Sequence, residues 1–163
     1  MVHLVPMTRS EYPTYIEPAI DDYAQDKAKA GNLHPDRALE MARQDFAALL
    51  PQGVASPEQY LYTIQEADAG AKVGFIWLGI REEGAKRFPM LMQIWIAEQY
   101  RRQGYATQAL LVLEGQVGEL GFDEIWLHVF GHNHAARALY EKLGYVTTNL
   151  NMYKAFVPPV ASA

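Results

Sequence analysis

The sequence predicts an α/β sandwich built on a mixed central sheet. Three strand-like runs follow one another at residues 60–65, 73–80 and 88–97, with only short connections between them. Two amphipathic helix patterns precede these runs, and strands alternate with helices after them, which is typical of helices that cover a sheet. The predicted order of elements is therefore β-α-α-β-β-β-α-β-α-β.

The first third of the chain predicts one strand and two helices. The strand is expected at residues 3–7. Ser10 is the predicted N-cap of a helix that begins at the next residue and stops at residues 31–32, because a hydroxyl side chain can accept a hydrogen bond from the first turn. Pro35 suits the first position of a second helix, which we expect to run to about Leu50.

The rest of the chain predicts turns and alternating elements. Turns that contain glycine are expected at residues 66–70 and 81–84. The elements expected after the three successive strands are a helix from Gly104 to Leu120, a strand at 125–129, a helix at 133–143 and a strand at 145–153. The first of these helices has one apolar stripe, so it should pack on the sheet. The stripe consists of Ala106, Ala109, Leu110, Leu113, Val117 and Leu120.

Composition limits the class of protein. The 163 residues suffice for one domain with a full core, expected over residues 1–157, with a frayed tail at 158–163. The chain has no cysteine, which excludes disulfides, thiolate metal sites and cysteine nucleophiles. Its net charge of −5 disfavours nucleic acid as a partner. Because neither a signal-peptide pattern nor a membrane-spanning apolar run is present, we expect a cytoplasmic protein without a membrane partner.

Residues 101–107, the glycine loop, are the most informative segment. They read Arg-Arg-Gln-Gly-Tyr-Ala-Thr and lead from a strand-like run into a helix. The first N–H groups of a helix have no partner within it, and the helix dipole makes this end positive. Gly104 lets the backbone approach a ligand closely because no Cβ intervenes. The glycine loop therefore predicts an anion site, although an ordinary connection with a solvated arginine pair fits the same residues.

A second motif follows the next predicted strand. It reads Asn133-x-x-Ala136-x-x-x-Tyr140-x-x-x-Gly144. Asn133 suits the N-cap of a helix, and Ala136 and Tyr140 share one helical face because they are four residues apart. Gly144 predicts the end of that helix. Taken alone, the motif also fits an ordinary capped helix with an aromatic residue packed near its end.

Together the two motifs strongly resemble those of the GCN5-related N-acetyltransferase (GNAT) superfamily. Its members share an Arg/Gln-x-x-Gly-x-Gly/Ala loop after the fourth strand and an Asn-x-x-Ala-x-x-x-Tyr helix after the fifth. Both stand here in that order, with alanine at position 106. The resemblance is specific over residues 88–153 and implies a mostly antiparallel mixed sheet with helices on both faces.

The resemblance also implies acetyl-CoA as the co-substrate and no metal ion. Its pyrophosphate would lie on backbone N–H groups of the glycine loop. Its pantetheine would pair with the strand before the loop, where that strand splays from the fifth. The residues implied in binding acetyl-CoA are Ile94, Trp95, Ile96, Arg101, Arg102, Gln103, Gly104, Tyr105, Ala106, Thr107, Asn133, Ala136 and Tyr140.

The resemblance further implies direct attack of a primary amine on the thioester, without an acyl-enzyme. Tyr140 is the implied general acid for the leaving thiolate, and a backbone N–H within residues 94–96 is the implied donor to the thioester oxygen. Some members use a glutamate early on the fourth strand as the base, but residues 88–93 contain no carboxylate. His128, His132 and His134 are available by position, and each also fits a packed or solvated histidine.

The sequence leaves the acceptor open between a small-molecule amine and a protein amine. The first helix supplies aromatic and acidic groups in the region where family members bind the acceptor, although a solvated helix face explains the acidic pair at 21–22 equally well. These groups are Tyr15, Glu17, Asp21, Asp22 and Tyr23. An acyl-CoA-binding regulatory module without catalysis is the alternative function. A homodimer is compatible with either.

Overall fold

The computed structural model describes residues 1–31, 33–154 and 156. Its strands are β1 (Val2–Pro6), β2 (Gln59–Glu66), β3 (Lys72–Glu83), β4 (Lys86–Ile96) and β5 (Trp126–Leu127). Its α-helices are α1 (Tyr12–Gly31), α2 (Pro35–Leu49), α3 (Tyr105–Glu119) and α4 (His134–Lys142). The predicted order is confirmed from the first strand to the last helix. Asn32 and the tail expected at 158–163 lie outside the described residues.

The five strands form one sheet in the order β1-β2-β3-β4-β5. Neighbouring strands are antiparallel as far as β4, and β5 runs parallel to β4. The sheet is thus mixed and mostly antiparallel, as expected. Within the described residues, β4 and β5 pair only at Met90 with Trp126 and at Leu91 with Leu127. Beyond these two pairs the strands are no longer joined.

The strand expected at residues 145–153 is wrong. Residues 145–154 contain no regular secondary structure. A strand needs a neighbour with free backbone groups, and β5 offers only two residues to pair with. The apolar side chains of this segment are not covered, since Val146, Leu150 and Met152 are 80%, 75% and 93% exposed.

Helices cover both faces of the sheet because successive strand residues point to opposite sides. On β3, Phe75 and Trp77 pack with α1 and α2, whereas Ile76 and Leu78 pack with α3 and α4. The two apolar clusters are thus separated by a single layer of backbone. The strand edge at which β4 and β5 part lies between them. Of the described helices, none is long and apolar enough to span a bilayer.

The cap of α1 differs from the prediction. Thr8 N and Thr8 Oγ1 donate to Glu11 Oε2 at 2.8 and 2.6 Å, and Glu11 N donates to Thr8 Oγ1 at 3.3 Å. This reciprocal arrangement is a capping box, which needs the hydroxyl three residues before the carboxylate. Ser10 as N-cap is wrong because the residue three positions later is Pro13, which has no N–H to donate.

The stripe predicted on α3 is confirmed in its central part. Ala109, Leu110, Leu113 and Val117 are buried in the core between α3 and the sheet. Leu120 is 43% exposed, because α3 ends at Glu119 and the chain turns away from the sheet there.

Candidate active site

The gap between β4 and β5 is lined by backbone groups of β4. Ala97 N donates to Val73 O of β3 at 2.9 Å. Along an antiparallel strand, residues that bond to one neighbour alternate with residues that face the other side. Counting back through the regular register, the N–H groups of Ile96 and Ile94 face away from β3 and into the gap. Arg101 Nε donates to Ile96 O at 2.9 Å, which is consistent with that orientation.

A bulge in β4 lies where it parts from β5. The register with β3 skips Met92, since Leu91 and Gln93 pair with successive residues of β3. Met92 packs against the apolar cluster of α1 and α2, and Gln93 Nε2 donates to Ala19 O of α1 at 3.4 Å. Two successive side chains thus lie on the α1 side. Such a bulge bends the strand and increases its twist, which opens the gap.

The glycine loop presents a run of unpaired backbone donors. Within the part of the chain that the structure describes, the N–H groups from Arg102 to Thr107 donate no hydrogen bond. The first bond of α3 is that of Gln108 N to Gly104 O, at 3.1 Å. Arg102 and Gly104 both have left-handed backbone, with φ of 62° and 83°. Alternation of this kind turns successive N–H groups toward one concavity, which binds anions.

Side chains of the glycine loop brace it and leave the concavity to the backbone. Gln103 Nε2 donates to Gln99 O at 2.9 Å. Tyr105 Oη donates to Glu66 Oε1 of β2 at 2.8 Å, which fixes the start of α3 to the sheet. Arg102 is exposed. Ala106 and Thr107 are half-buried in the first turn of α3.

The second motif places Tyr140 beside the gap. Asn133 caps α4, since its side chain accepts a hydrogen bond from Ala136 N at 3.1 Å. Tyr140 is 8% exposed and belongs to the same apolar cluster as Ile94 and Ile96. Burial raises the pKa of its hydroxyl to about 12. The hydroxyl makes no side-chain hydrogen bond to any other described residue. It therefore stays protonated at neutral pH and is available to donate.

Two of the three histidines considered as bases stand on the α1 side of the gap. The His128 ring lies edge-on to the Phe130 ring, with centroids 5.0 Å apart. Phe130 contacts Tyr23 of α1 at 5.9 Å between centroids. His132 Nε2 lies 2.6 Å from Asp26 Oδ1 of α1, and its ring stacks on Phe130. We call Tyr23, His128 and Phe130 the aromatic wall.

A family model described as the acetyltransferase (GNAT) family matches residues 17–145. The chain belongs to the GNAT family. It is 33% identical over 153 residues to the uncharacterized N-acetyltransferase YycN of Bacillus subtilis (strain 168), and the match covers 94% of this chain and 97% of YycN. The crystal structure of YycN matches this chain with a TM-score of 0.89 at 32% identity. The match covers 97% of this chain and 100% of the YycN chain.

A more distant structure shares the GNAT fold. It is AAC(6′)-Iy in complex with the bisubstrate analogue CoA-S-monomethyl-acetylneamine. The TM-score is 0.59 at 15% identity, over 97% of this chain and 99% of that one. Given the family match and the likeness to YycN, this chain is an N-acetyltransferase of the GNAT type.

The acidic and aromatic groups expected at the acceptor site of this GNAT chain do not form one cluster. Tyr15 packs against Phe75 in the core, with ring centroids 5.3 Å apart. Glu17 pairs with Arg43 of α2 at 3.3 Å. Asp21 and Asp22 are exposed. Of the five, Tyr23 is the one whose ring contacts the segment after β5, at Phe130.

Sequence reasoning missed Asp26, which holds His132. The signal available for it was its position three residues after Tyr23, on the same face of α1. Ala19, Tyr23 and Asp26 form one stripe that runs from Gln93 at the bulge to His132 beyond β5. This stripe is the α1 side of the gap.

Proposed function

We propose that the protein transfers an acetyl group from acetyl-CoA directly to a primary amine. The observation that carries the proposal is the run of backbone N–H groups from Arg102 to Thr107 that donate no hydrogen bond among the described residues. A run of this length at the start of a helix suits an anionic partner with several oxygens, and the pyrophosphate of CoA is such a group. Phosphate binding here depends on main chain more than on the arginine side chains.

The gap beside β4 suits the pantetheine arm. Pantetheine contains two amides, and the N–H groups of Ile94 and Ile96 face the gap at the strand spacing that an extended amide chain requires. The side chain of Trp95 lies on the α1 face of the sheet, stacked on Phe75 with centroids 6.0 Å apart, where it helps to fix β4. The AAC(6′)-Iy complex supports this arrangement, since a CoA conjugate is bound by the same fold.

The chemistry follows from where the thioester would lie. The amine nitrogen attacks the carbonyl carbon, and an N–H of Ile94 or Ile96 stabilises the charge that develops on the carbonyl oxygen. The carbon–sulfur bond then breaks, sulfur takes its electron pair, and Tyr140 supplies a proton to the thiolate. A free thiol has an ordinary pKa near 8.5, so the thiolate is a tolerable leaving group and Tyr140 assists rather than decides the reaction.

The direct test is thermal unfolding with and without acetyl-CoA. We expect acetyl-CoA to raise the Tm of the wild-type protein and to leave that of Gly104→Glu unchanged, because a carboxylate would stand in the concavity at a position with φ of 83°. Arg102→Ala is the matched control in the same loop and should keep most of the shift, since its side chain is exposed. Absence of any shift with acetyl-CoA would overturn the proposal.

A regulatory module that binds acyl-CoA without turnover is the second candidate. It is favoured by one observation: β4 carries no carboxylate from Met90 to Ile96, where some relatives have a base. Screening a panel of amines for release of the free CoA thiol separates the two. Turnover of any amine supports the transferase, and a thermal shift without turnover of any amine supports the module.

A further inference from the structure

We infer that His128 takes the proton from the attacking amine, an assignment that rests on the acetyl transfer proposed above. Three features of the structure converge on this residue: its place along the gap, the face on which its ring lies, and the freedom of its ring nitrogens. None of the three depends on the fact that β4 has no carboxylate from Met90 to Ile96.

The strand register places His128 at the opening of the gap. Leu127 pairs with Leu91 at the last joined position of β4 and β5. The next residue on each strand is His128 and Met92, so the two face each other where the strands part. Met92 is the bulged residue of β4. The histidine therefore stands level with the start of the N–H groups that face the gap.

The ring of His128 lies on the α1 side of the sheet, opposite Tyr140. Leu127 and Val129 pack in the cluster of α3 and α4, which also contains Tyr140. Between them, His128 contacts Phe130, and Phe130 contacts Tyr23 of α1. A thioester in the gap would thus have a phenol on one face and an imidazole on the other. Departure of the thiolate and approach of the amine then take place on different sides.

His128 has free nitrogens where His132 does not. Neither ring nitrogen of His128 makes a hydrogen bond to another described residue, and the residue is exposed. His132 Nε2 is engaged by Asp26 at 2.6 Å, and its ring is stacked on Phe130. His134 is exposed as the first residue of α4, beyond the capping residue. Of the three, His128 alone combines access to the gap with an unoccupied nitrogen.

The proton balance is simple. An alkyl ammonium loses one proton to the imidazole, and its neutral nitrogen forms the bond to the carbonyl carbon. The carbon–sulfur bond breaks as Tyr140 protonates the sulfur, and the nitrogen gives up its second proton, which restores the Tyr140 hydroxyl through solvent. An alkyl ammonium is mostly protonated at neutral pH, because its ordinary pKa is near 10.4. Histidine is the side chain whose charge ordinarily changes between pH 5 and 8, so it can accept such a proton and pass it to water.

The charged groups around the aromatic wall come from three elements. On α1 they are Asp26 and Lys27, on α2 Asp45, which pairs with Lys27 at 2.5 Å, and in the loop after β5 His132. Tyr23 is the neighbouring titratable ring, with Lys27 Nζ 5.3 Å from its centroid. β4 contributes no charge from Met90 to Ile96. Asp26 is therefore engaged by His132 and Lys27 by Asp45, which leaves His128 as the proton acceptor of the aromatic wall without a partner among the described residues.

The first test needs no acceptor. The imidazole Cε1–H signal of His128 is assigned in an NMR spectrum by its loss in His128→Gln, and acetyl-CoA and CoA are then added in turn. We expect the His128 signal to shift, with different shifts for the two ligands, while the signal of His3 on β1 stays in place. An unmoved His128 signal when the Tm shows acetyl-CoA bound would overturn the assignment. Absence of binding would instead overturn the proposed function.

The second test measures kcat/KM against pH with benzylamine, or with the best amine of the screen. We expect wild-type kcat/KM to rise between pH 5 and 8. In His128→Gln it should fall by about 10²–10⁴ at neutral pH, with the remaining rise displaced toward the ionisation of the amine itself. Aniline, which is already neutral at pH 7, should be affected much less. His3→Gln is the matched control and should behave as wild type.

A further variant, His132→Gln, decides between His128 and His132, the two histidines on the α1 side of the gap. If the rise of kcat/KM between pH 5 and 8 were lost in His132→Gln but kept in His128→Gln, the assignment would be overturned. An equal loss for benzylamine and aniline in His128→Gln would also overturn it, because it would indicate a role in packing rather than proton transfer.

Discussion

The two sides of the gap are built from different parts of the chain. On the proposed donor side, the groups free to bind are main-chain N–H groups from Arg102 to Thr107 and on β4, and the side chain of Gln103 braces the loop. On the acceptor side, the wall consists of side chains from α1 and from the loop after β5. A backbone site requires only the correct fold and Gly104. A side-chain site changes whenever one of its residues changes, which explains why members of one family can share a donor and differ in acceptor.

Among changes on the proposed donor side, Tyr140→Phe should give the largest effect, and it tests whether that side needs any side chain at all. The hydroxyl has no side-chain partner among the described residues, so its loss should not unfold the protein. We expect kcat to fall by about 10²-fold, the lower end for general acid catalysis, because a thiolate leaves readily without help. Acetyl-CoA affinity and Tm should stay near wild type.

Tyr145→Phe is the matched control for that change. Its ring lies 5.6 Å from that of Tyr140, but its hydroxyl donates to Glu114 Oε1 at 2.9 Å. Its removal should cost about 1 kcal/mol of stability with little change in kcat. Equal losses of kcat in the two variants would show that Tyr140 acts through packing.

Gly74→Ala should break the donor side through the backbone alone. A Cβ at this position of β3 would stand 2.0 Å from Trp95 O and 3.0 Å from Ile96 Cα. Backbone atoms cannot move aside as the end of a side chain can, so β4 must shift, at a cost of about 1–3 kcal/mol. We expect a lower Tm and a smaller stabilisation by acetyl-CoA, because the N–H of Ile96 moves with the strand.

Gly115→Ala in α3 is the control for Gly74→Ala. A Cβ there meets no heavy atom within 4 Å. The substitution should raise the free energy of unfolding by about 0.5–1 kcal/mol, as expected for alanine in place of glycine inside a helix. If Gly74→Ala bound acetyl-CoA as tightly as the wild type does, β4 backbone geometry would not set donor affinity.

The difference between the two sides also explains what the sequence could predict. The glycine loop and the α4 motif were predictable because each depends on local spacing, such as Asn133 three residues before Ala136. The contact of Asp26 with His132 spans 106 residues and has no local signature. The strand expected at 145–153 was wrong because a local sequence cannot show whether a neighbouring strand is present to pair with it, and β5 has only two residues.

The smallest expected effect is on the stability of the anchor between the sheet and α1, the helix that supplies Tyr23 to the aromatic wall. Glu11 accepts a hydrogen bond from Lys72 of β3 at 2.7 Å and is bonded by Thr8, and these contacts lower the pKa of its carboxyl to about 2. A carboxyl whose pKa is lower in the folded state stabilises the fold above its ordinary pKa, 4.5, and loses that contribution as the pH falls toward 2.

We therefore expect the free energy of unfolding, measured with urea, to fall from pH 5 to pH 3, and to fall less steeply in Glu11→Gln. Glu17→Gln removes an exposed pair with Arg43 and should keep the wild-type slope. Identical slopes in wild type and Glu11→Gln would mean that the bonds of the Glu11 carboxylate do not stabilise the anchor between α1 and the sheet.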